Sequence, residues 1–534
     1  MNFKDESFSL SLLYPDENSR RRVSDGLSEY DAEQLRLYDL ICLEHSTLGS
    51  FFTDDRETIL YRQETFADLI NVPELSDVLS RMLPYLADIT ELRRLSDSTD
   101  GAEDSYLYGI SEIEIYVSLI DFLEESLLPL EPKLSSAAFL SFCKRIRELS
   151  QGEYHKSLTE QLSNLASRVR DIRSITLGIN LDRTMSVESA GVLSVNSEKF
   201  KSGDFFDRVR RLDFKKDDIT CIASLIPYFK DQPETQRTAL TNAVNNAVTE
   251  VFKTSVKGWK KAVGDYVIGN TDFLIGIMPE TELLCEGTAL LRSLKERGCK
   301  LCTPEITDDG ELHATGLLNP LIALKTEGEL VSNSIDFDDS AKIYVITGPN
   351  RGGKSVLTCA VGIALAMAQI GLPVPADSFA FSPADKIMTH FPTGSEDTVE
   401  KGRLGEECAR LGEIFDSVTD KSLVLLDESL SSTGSYEGAY IASEVLRGFS
   451  LAGCRCIFST HLHDLAADVV RINEECVQKG GVRLDNMVAE VDNGSRTFRI
   501  VRKTPDGKSY ARDIAEKYGL SSEKILEKIS RRKN

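Results

Sequence analysis

Apolar positions along the chain keep one period, drop to another, and then mix the two. From Thr58 to Leu149 they recur at three- and four-residue spacing, which places side chains on one face of a helix. Leu60, Phe66, Leu69 and Ile70 form a stripe ending at Pro73, and Leu75, Val78, Leu79, Met82 and Leu83 form the next. Residues 110–128 predict a longer amphipathic helix, and residues 137–149 and 158–172 continue the series. Helical spacing (Leu35, Leu37, Leu40, Cys42) also covers residues 31–45. No fixed-length repeat is present, so the pattern predicts a helical arm or bundle rather than a solenoid. At residues 174–181 and 191–195 apolar and polar residues alternate, which predicts a pair of strands. Residues 235–266 and 280–297 return to helical spacing.

From Pro304 to about residue 500, strand-like runs and helical stretches alternate: 343–347, 356–369, 422–426, 438–451 and 456–459. Alternation of this kind predicts a parallel sheet wrapped by helices. Residues 509–528 predict two short helices around Gly519, followed by Arg531-Arg532-Lys533. The expected fold is multidomain. An N-terminal segment (1–50) precedes a helical domain (51–300) with a small β-containing insertion at about 174–262, and an α/β domain (301–534) follows.

Composition narrows the possibilities. With 41% hydrophobic and 28% charged residues, the chain reads as soluble and globular. Its net charge of −23 argues against non-specific coating of nucleic acid but leaves room for a local basic patch. Residues 196–262 hold 13 Lys and Arg against 9 Asp and Glu. Lys199, Lys201, Arg208, Arg210, Arg211, Lys215 and Lys216 cluster there, and Lys253, Lys257, Lys260 and Lys261 surround Trp259. A nucleic-acid surface and a solvated helical face both fit this segment. Arg20-Arg21-Arg22 reads better as solvated charge than as a phosphate contact. No signal peptide and no 18-residue apolar span is legible. Eleven scattered cysteines, with Cys299 and Cys302 as the one CxxC, suit neither a disulfide framework nor a paired zinc site. Cys454 and Cys456 read as reduced packing residues, and a reducing cytoplasm is expected.

The chemistry concentrates at Gly348-Pro349-Asn350-Arg351-Gly352-Gly353-Lys354-Ser355, directly after the apolar run 343–346. This is the G-x-x-x-x-G-K-[ST] phosphate-binding loop. Its glycines let successive N–H groups turn toward phosphate oxygens, Lys354 adds a compact positive charge, and the Ser355 hydroxyl suits Mg²⁺. Val356 opens a helix whose N-terminus adds partial positive charge under the phosphates. Some seventy residues on, the apolar strand 423–426 ends in Asp427-Glu428. The first carboxylate suits the Mg²⁺ shell, and the second can deprotonate an attacking water. A third strand ends in Ser459-Thr460-His461, and a His at such a tip can sense the γ-phosphate. His463 has no assigned role.

Taken together, G-P-N-x-G-G-K-S, L-V-L-L-D-E and F-S-T-H-x-H-D-L resemble the ATPase domain of the MutS family. Pro304-Glu305-Ile306, Asn319-Pro320-Leu321-Ile322, Asn333 with Ile335, Thr433–Gly438 and Tyr510–Ala515 with Gly519-Leu520 are similar to further stretches of that domain. Arg62-Gln63 and the helices after it resemble the family's core and lever. The resemblance implies ATP with Mg²⁺ as ligands, nucleotide chemistry at Lys354, Ser355, Asp427, Glu428 and His461, and Asn350 near the γ-phosphate. It also implies a homodimer that completes each site, and a DNA clamp at 174–262.

The sequence departs from the family pattern in several places. The lever-like pattern begins near residue 50, which leaves no room for mismatch-reading and connector domains, and no nuclease-like domain is expected after the ATPase. Gly402 stands where the family has a partner-site Ser. Ser429-Leu430-Ser431-Ser432 replaces Ile-Gly-Arg-Gly, and Leu330 or Val331 replaces an adenine-stacking aromatic. The expected function is ATP-gated DNA holding in repair or recombination, without direct mismatch reading. The rival is a nucleotide-gated protein scaffold that does not bind DNA. A general ABC or SMC-type head fits less well, because neither an LSGGQ-like signature nor a long heptad coiled coil is present.

Overall fold

A computed structural model describes residues 10–22, 25–98, 105–169, 174–181, 183, 187–196, 223–225, 272–391, 402–492, 495–505, 524–526 and 529–530. The chain divides into two compact units. Met1–Ser11, Val72–Ser135 and Phe139–Thr281 form one, and Leu12–Asn71, Ser136–Ala138 and Glu282–Asn534 form the other.

The first unit is largely helical, with helices Pro73–Ser98, Ser105–Ser126, Ala137–Gln151 and Glu153–Val169. Leu75, Leu79, Met82, Ile113, Leu119, Ile120, Phe139 and Phe142 are fully buried. Pro73 opens its helix, where a missing N–H leaves no partner wanting. Arg93 bridges Glu112 at 2.8 Å and Asp272 at 3.2 Å. Strands β1 (Ser174–Leu181), β2 (Val187–Asn196) and β3 (Ala223–Leu225) form an antiparallel sheet in the order β1-β2-β3. The basic segment 196–262, with Trp259 and the expected helix 235–266, lies outside the described residues apart from Asn196 and β3. So do residues 506–523, which hold most of the expected closing helices, and Arg531-Arg532-Lys533.

The second unit contains β4 (Glu305–Ile306), β5 (Leu312–Leu317), β6 (Asn333–Phe337), β7 (Ile343–Thr347), β8 (Ser378–Phe381), β9 (Ile387–His390), β10 (Leu423–Asp427), β11 (Arg455–Ser459), β12 (Leu484–Asp492) and β13 (Ser495–Arg502). A four-stranded sheet runs β4-β8-β5-β6, and a six-stranded sheet runs β13-β12-β7-β11-β10-β9. Strands β12, β7, β11, β10 and β9 are mutually parallel, and β13 is antiparallel to β12. Every residue of β7 and β11 is buried, as expected of parallel strands covered on both faces. Val345, Val424, Leu426 and Phe458 share one core with Leu411, Ile414, Leu446, Phe449, Leu465 and Ile472 from the helices Gly402–Ser417, Ser435–Ala452 and His463–Val477. Toward Leu425 lies the helix Lys354–Ile370, buried everywhere except at Ser355, Val356 and Cys359. A Cβ on its Gly362 would meet Leu425 Cδ1 at 2.5 Å and Leu35 Cδ2 at 2.6 Å.

Two local expectations are corrected. Residues 31–45 are not one helix: Glu29–Gln34 is followed by a 3₁₀ turn at Leu37–Asp39, because Arg36 sits at φ 57°. In the helix Arg56–Asn71, Phe66 and Leu69 are buried but Leu60 and Ile70 are 42% and 40% exposed. The inward face instead carries Ile59, Arg62, Thr65 and Asp68. Arg62 Nε donates to Leu13 O at 3.0 Å and its Nη1 to Phe51 O, while Thr65 Oγ1 donates to Leu12 O at 3.2 Å. Polar residues face inward here because the backbone they meet offers bare carbonyls. Residues 12–71 pack within the unit that holds the α/β sheet.

Candidate nucleotide site

Three adjacent parallel strands bring the candidate residues together. The β10–β11 register pairs Asp427 with Ser459, and the β11–β7 register pairs Ser459 with Ile346. The phosphate loop, the Asp427-Glu428 pair and the Thr460-His461 tip therefore leave the same C-terminal edge of the sheet, where open α/β sheets bind ligands.

Within the loop, Gly348 has φ 141°, and a Cβ there would meet Ala489 Cβ at 2.6 Å. Gly353 has φ 97°, and a Cβ there would lie 3.2 Å from Phe498 O. Gly352 N–H donates to Pro349 O at 3.1 Å. Asn350 and Arg351 are exposed at the loop tip, Arg351 with φ 60°. Lys354 opens the helix and is 4% exposed, with Nζ donating to Gly348 O at 3.1 Å and Pro349 O at 3.3 Å. It is folded back on its own loop, and burial lowers its pKa against the pull of Glu428 and Asp427. Ser355 and Val356 are exposed in the first turn, and the Val356 carbonyl accepts from Asn319 Nδ2 at 3.0 Å.

At Asp427, burial raises the carboxyl pKa, opposed by a hydrogen bond from the Ser355 side chain. Its Oδ1 is buried without a hydrogen-bond partner. A hydroxyl bonded to a carboxylate with one orphaned oxygen fits a divalent cation. No group of three or more His, Cys, Asp or Glu able to hold a metal occurs among the described residues. Glu428 is half-buried, at φ 52°, with its N–H bonded to Ser459 O at 2.8 Å. His461 is exposed just beyond β11, and the preceding Thr460 N–H bonds to Ile346 O at 2.9 Å.

Two residues at the site, one on β12 and one on β13, were not singled out from sequence. Ala489 and Phe498 wall the loop from β12 and β13. Asn333 ties Phe498 down, donating to its carbonyl at 3.2 Å and accepting from Ile500 N at 2.7 Å. Phe498 is 48% exposed with φ 59°, whereas Val331 is aliphatic and 38% exposed. Ser429 and Ser432, two of the departures from the family pattern, have local partners. Ser429 Oγ lies 2.6 Å from His390 Nδ1, and Ser432 Oγ donates to Glu407 Oε2 at 3.0 Å. Leu430 is fully buried at φ 62°, a left-handed conformation that favours glycine. Gly402 begins the helix Gly402–Ser417.

A glycine loop between a buried parallel strand and a buried helix defines a phosphate-loop α/β unit. The family model described as MutS domain V matches residues 344–533, and that described as MutS2 N-terminal domain matches residues 54–276. The chain belongs to the MutS family. It is 32% identical over 244 residues to the DNA mismatch repair protein MutS of Clostridium kluyveri, covering 44% of this chain and 27% of that protein. It is 35% identical over 238 residues to the DNA mismatch repair protein MSH6 of Arabidopsis thaliana, covering 41% and 17%. To the endonuclease MutS2 of Staphylococcus epidermidis it is 29% identical over 262 residues, covering 48% and 30%. The chain thus spans less than a third of the length of these relatives. Among the described residues no helix is long and apolar enough to cross a membrane.

Proposed function

We propose that this chain is a Mg²⁺-dependent ATPase whose nucleotide state gates a DNA-holding surface, in mismatch repair or related DNA maintenance. One observation carries the reading. The phosphate loop, the half-satisfied Asp427 and the Glu428 carboxylate leave neighbouring strand ends at one edge of a sheet. The names of the relatives support the pathway class.

In this reading Lys354 swings from the loop carbonyls onto the β- and γ-phosphates, and the amides of Gly348–Ser355 cradle them. Asn350 hydrogen-bonds near the γ-phosphate. Ser355 and Asp427 hold the Mg²⁺, which when bound neutralises charge developing on the phosphate oxygens. Glu428 takes the proton of the attacking water, and His461 reports loss of the γ-phosphate. The helical region acts as a lever, and the basic residues of 196–262 grip DNA. A second copy of the chain completes each site.

Glu428→Gln should bind MgATP like the wild type and hydrolyse it about 100-fold more slowly, or slower still. Wild-type turnover in that variant would sink the assignment. Fluorescence anisotropy with plain, mismatched and four-way-junction DNA, with and without ATP, tests the gate. Absence of binding at low salt would favour the scaffold reading.

A further inference from the structure

The turn that carries Glu428 is held from two sides. Toward β11, Glu428 N–H bonds to Ser459 O at 2.8 Å. Toward β9, the contact is made by His390. It is the last residue of β9 and pairs in register with Leu426, two residues before Glu428. His390 Nδ1 lies 2.6 Å from Ser429 Oγ, and that hydroxyl also reaches His390 O at 3.2 Å. His390 is 5% exposed and Ser429 is 1% exposed, so water does not compete for the bond.

Ser429 sits between two residues in the left-handed region, Glu428 at φ 52° and Leu430 at φ 62°. Neither is glycine, and such a conformation persists only where its surroundings over-determine it. Burial and the Arg410 guanidinium push the His390 pKa down to about 4, so the imidazole is neutral in ordinary buffers. β9 is itself anchored. Asp31 Oδ1 accepts from Thr389 N at 2.7 Å, Thr389 Oγ1 at 2.8 Å and Arg410 Nη2 at 2.9 Å.

We propose that His390 is a positioning residue for ATP hydrolysis: its Nδ1–Ser429 Oγ hydrogen bond fixes the left-handed turn from which Glu428 presents its carboxylate. The inference rests on the ATPase reading above. His390 acts on Glu428 through Ser429. Misplacing a catalytic group by about 1 Å can cost on the order of 100-fold in rate.

The test is steady-state ATPase kinetics on the full chain, with Glu428→Gln as reference. His390→Ala and Ser429→Ala should each lower kcat by about 10- to 100-fold and leave KM for ATP within about threefold, because the phosphate loop is untouched. His390→Asn puts an amide group close to where Nδ1 stood and should restore kcat to within about threefold of wild type. The double variant His390→Ala/Ser429→Ala should be no slower than the slower single, since both remove one bond. Should His390→Ala fail to fold, Ser429→Ala and His390→Asn carry the test. A wild-type kcat in Ser429→Ala overturns the proposal, as does His390→Asn as slow as His390→Ala, or multiplying losses in the double variant. If Glu428→Gln is slow while these variants are fast, only this inference falls. If Glu428→Gln is as fast as wild type, the ATPase reading falls and takes this inference with it.

Discussion

Two demands conflict at Asp427. Cation binding wants an ionised carboxylate, and burial disfavours one. Burial raises the folded-state pKa above the unfolded value, so stability is gained as pH falls through the folded pKa and lost as it rises. Near neutral pH the charged group therefore costs stability in the cation-free protein. Asp427→Asn should raise the Tm of that form and lower Mg²⁺-dependent hydrolysis by about 100-fold or more. Calorimetry beside an ATPase assay checks both, and a lowered Tm would contradict the electrostatic account. The same logic covers Lys354, whose ammonium is buried against its own loop carbonyls. The charge pattern of the loop was readable because G-x-x-x-x-G-K-S fixes residue type at each position. The strain at Leu430 was not, because nothing in S-L-S-S announces a left-handed leucine.

Elements are joined by buried polar groups that a hydropathy pattern cannot see. The Ser28 hydroxyl accepts from Asp31 N at 3.1 Å, the local half of a helix cap. The Asp31 carboxylate meanwhile receives β9 and Arg410. Removing it leaves the Thr389 N–H without its acceptor and takes one of two carboxylates from Arg410, which keeps Glu413 at 3.2 Å. Asp31→Ala should destabilise the α/β unit by roughly 2 kcal/mol, measured by denaturant unfolding, and Asp31→Asn, which keeps an acceptor, by less. Gln369 works similarly, donating to Thr53 O and Ala384 O at 2.8 Å and accepting from Ala384 N at 2.9 Å. The close approach at Gly362 is a steric counterpart. Gly362→Ala gains helix propensity worth about 1 kcal/mol but forces Leu425 and Leu35 apart, and overpacking costs about 1–3 kcal/mol. We expect a small net loss in Tm rather than a gain.

For the whole molecule, the charge of −23 sets two salt effects of opposite sign. Self-repulsion weakens as salt screens it, so Tm should rise between about 10 mM and 150 mM salt, where the Debye length falls from roughly 30 to 8 Å. Over the same range DNA affinity should fall, because basic residues that pair with phosphates release counterions. Differential scanning fluorimetry and anisotropy in matched buffers test the pair. A rise in DNA affinity with salt would exclude binding through a basic patch.

Several features were determined by the sequence alone. Helical stripes gave way to alternating strands at 174–181 and 191–195, then to an alternating α/β region, because side-chain period follows backbone geometry. The phosphate loop, the Asp427-Glu428 pair and the family were legible because each needs particular residues at short, fixed spacing. Tertiary structure decided what depends on long-range partners. It joined residues 12–71 to the α/β unit through Gln369 and Asp31, and it set Ala489 and Phe498 against the loop. It also placed His390 behind Glu428. These residues are far apart in the chain, and a buried hydrogen bond leaves no periodic trace in a sequence, so only the folded register could reveal them.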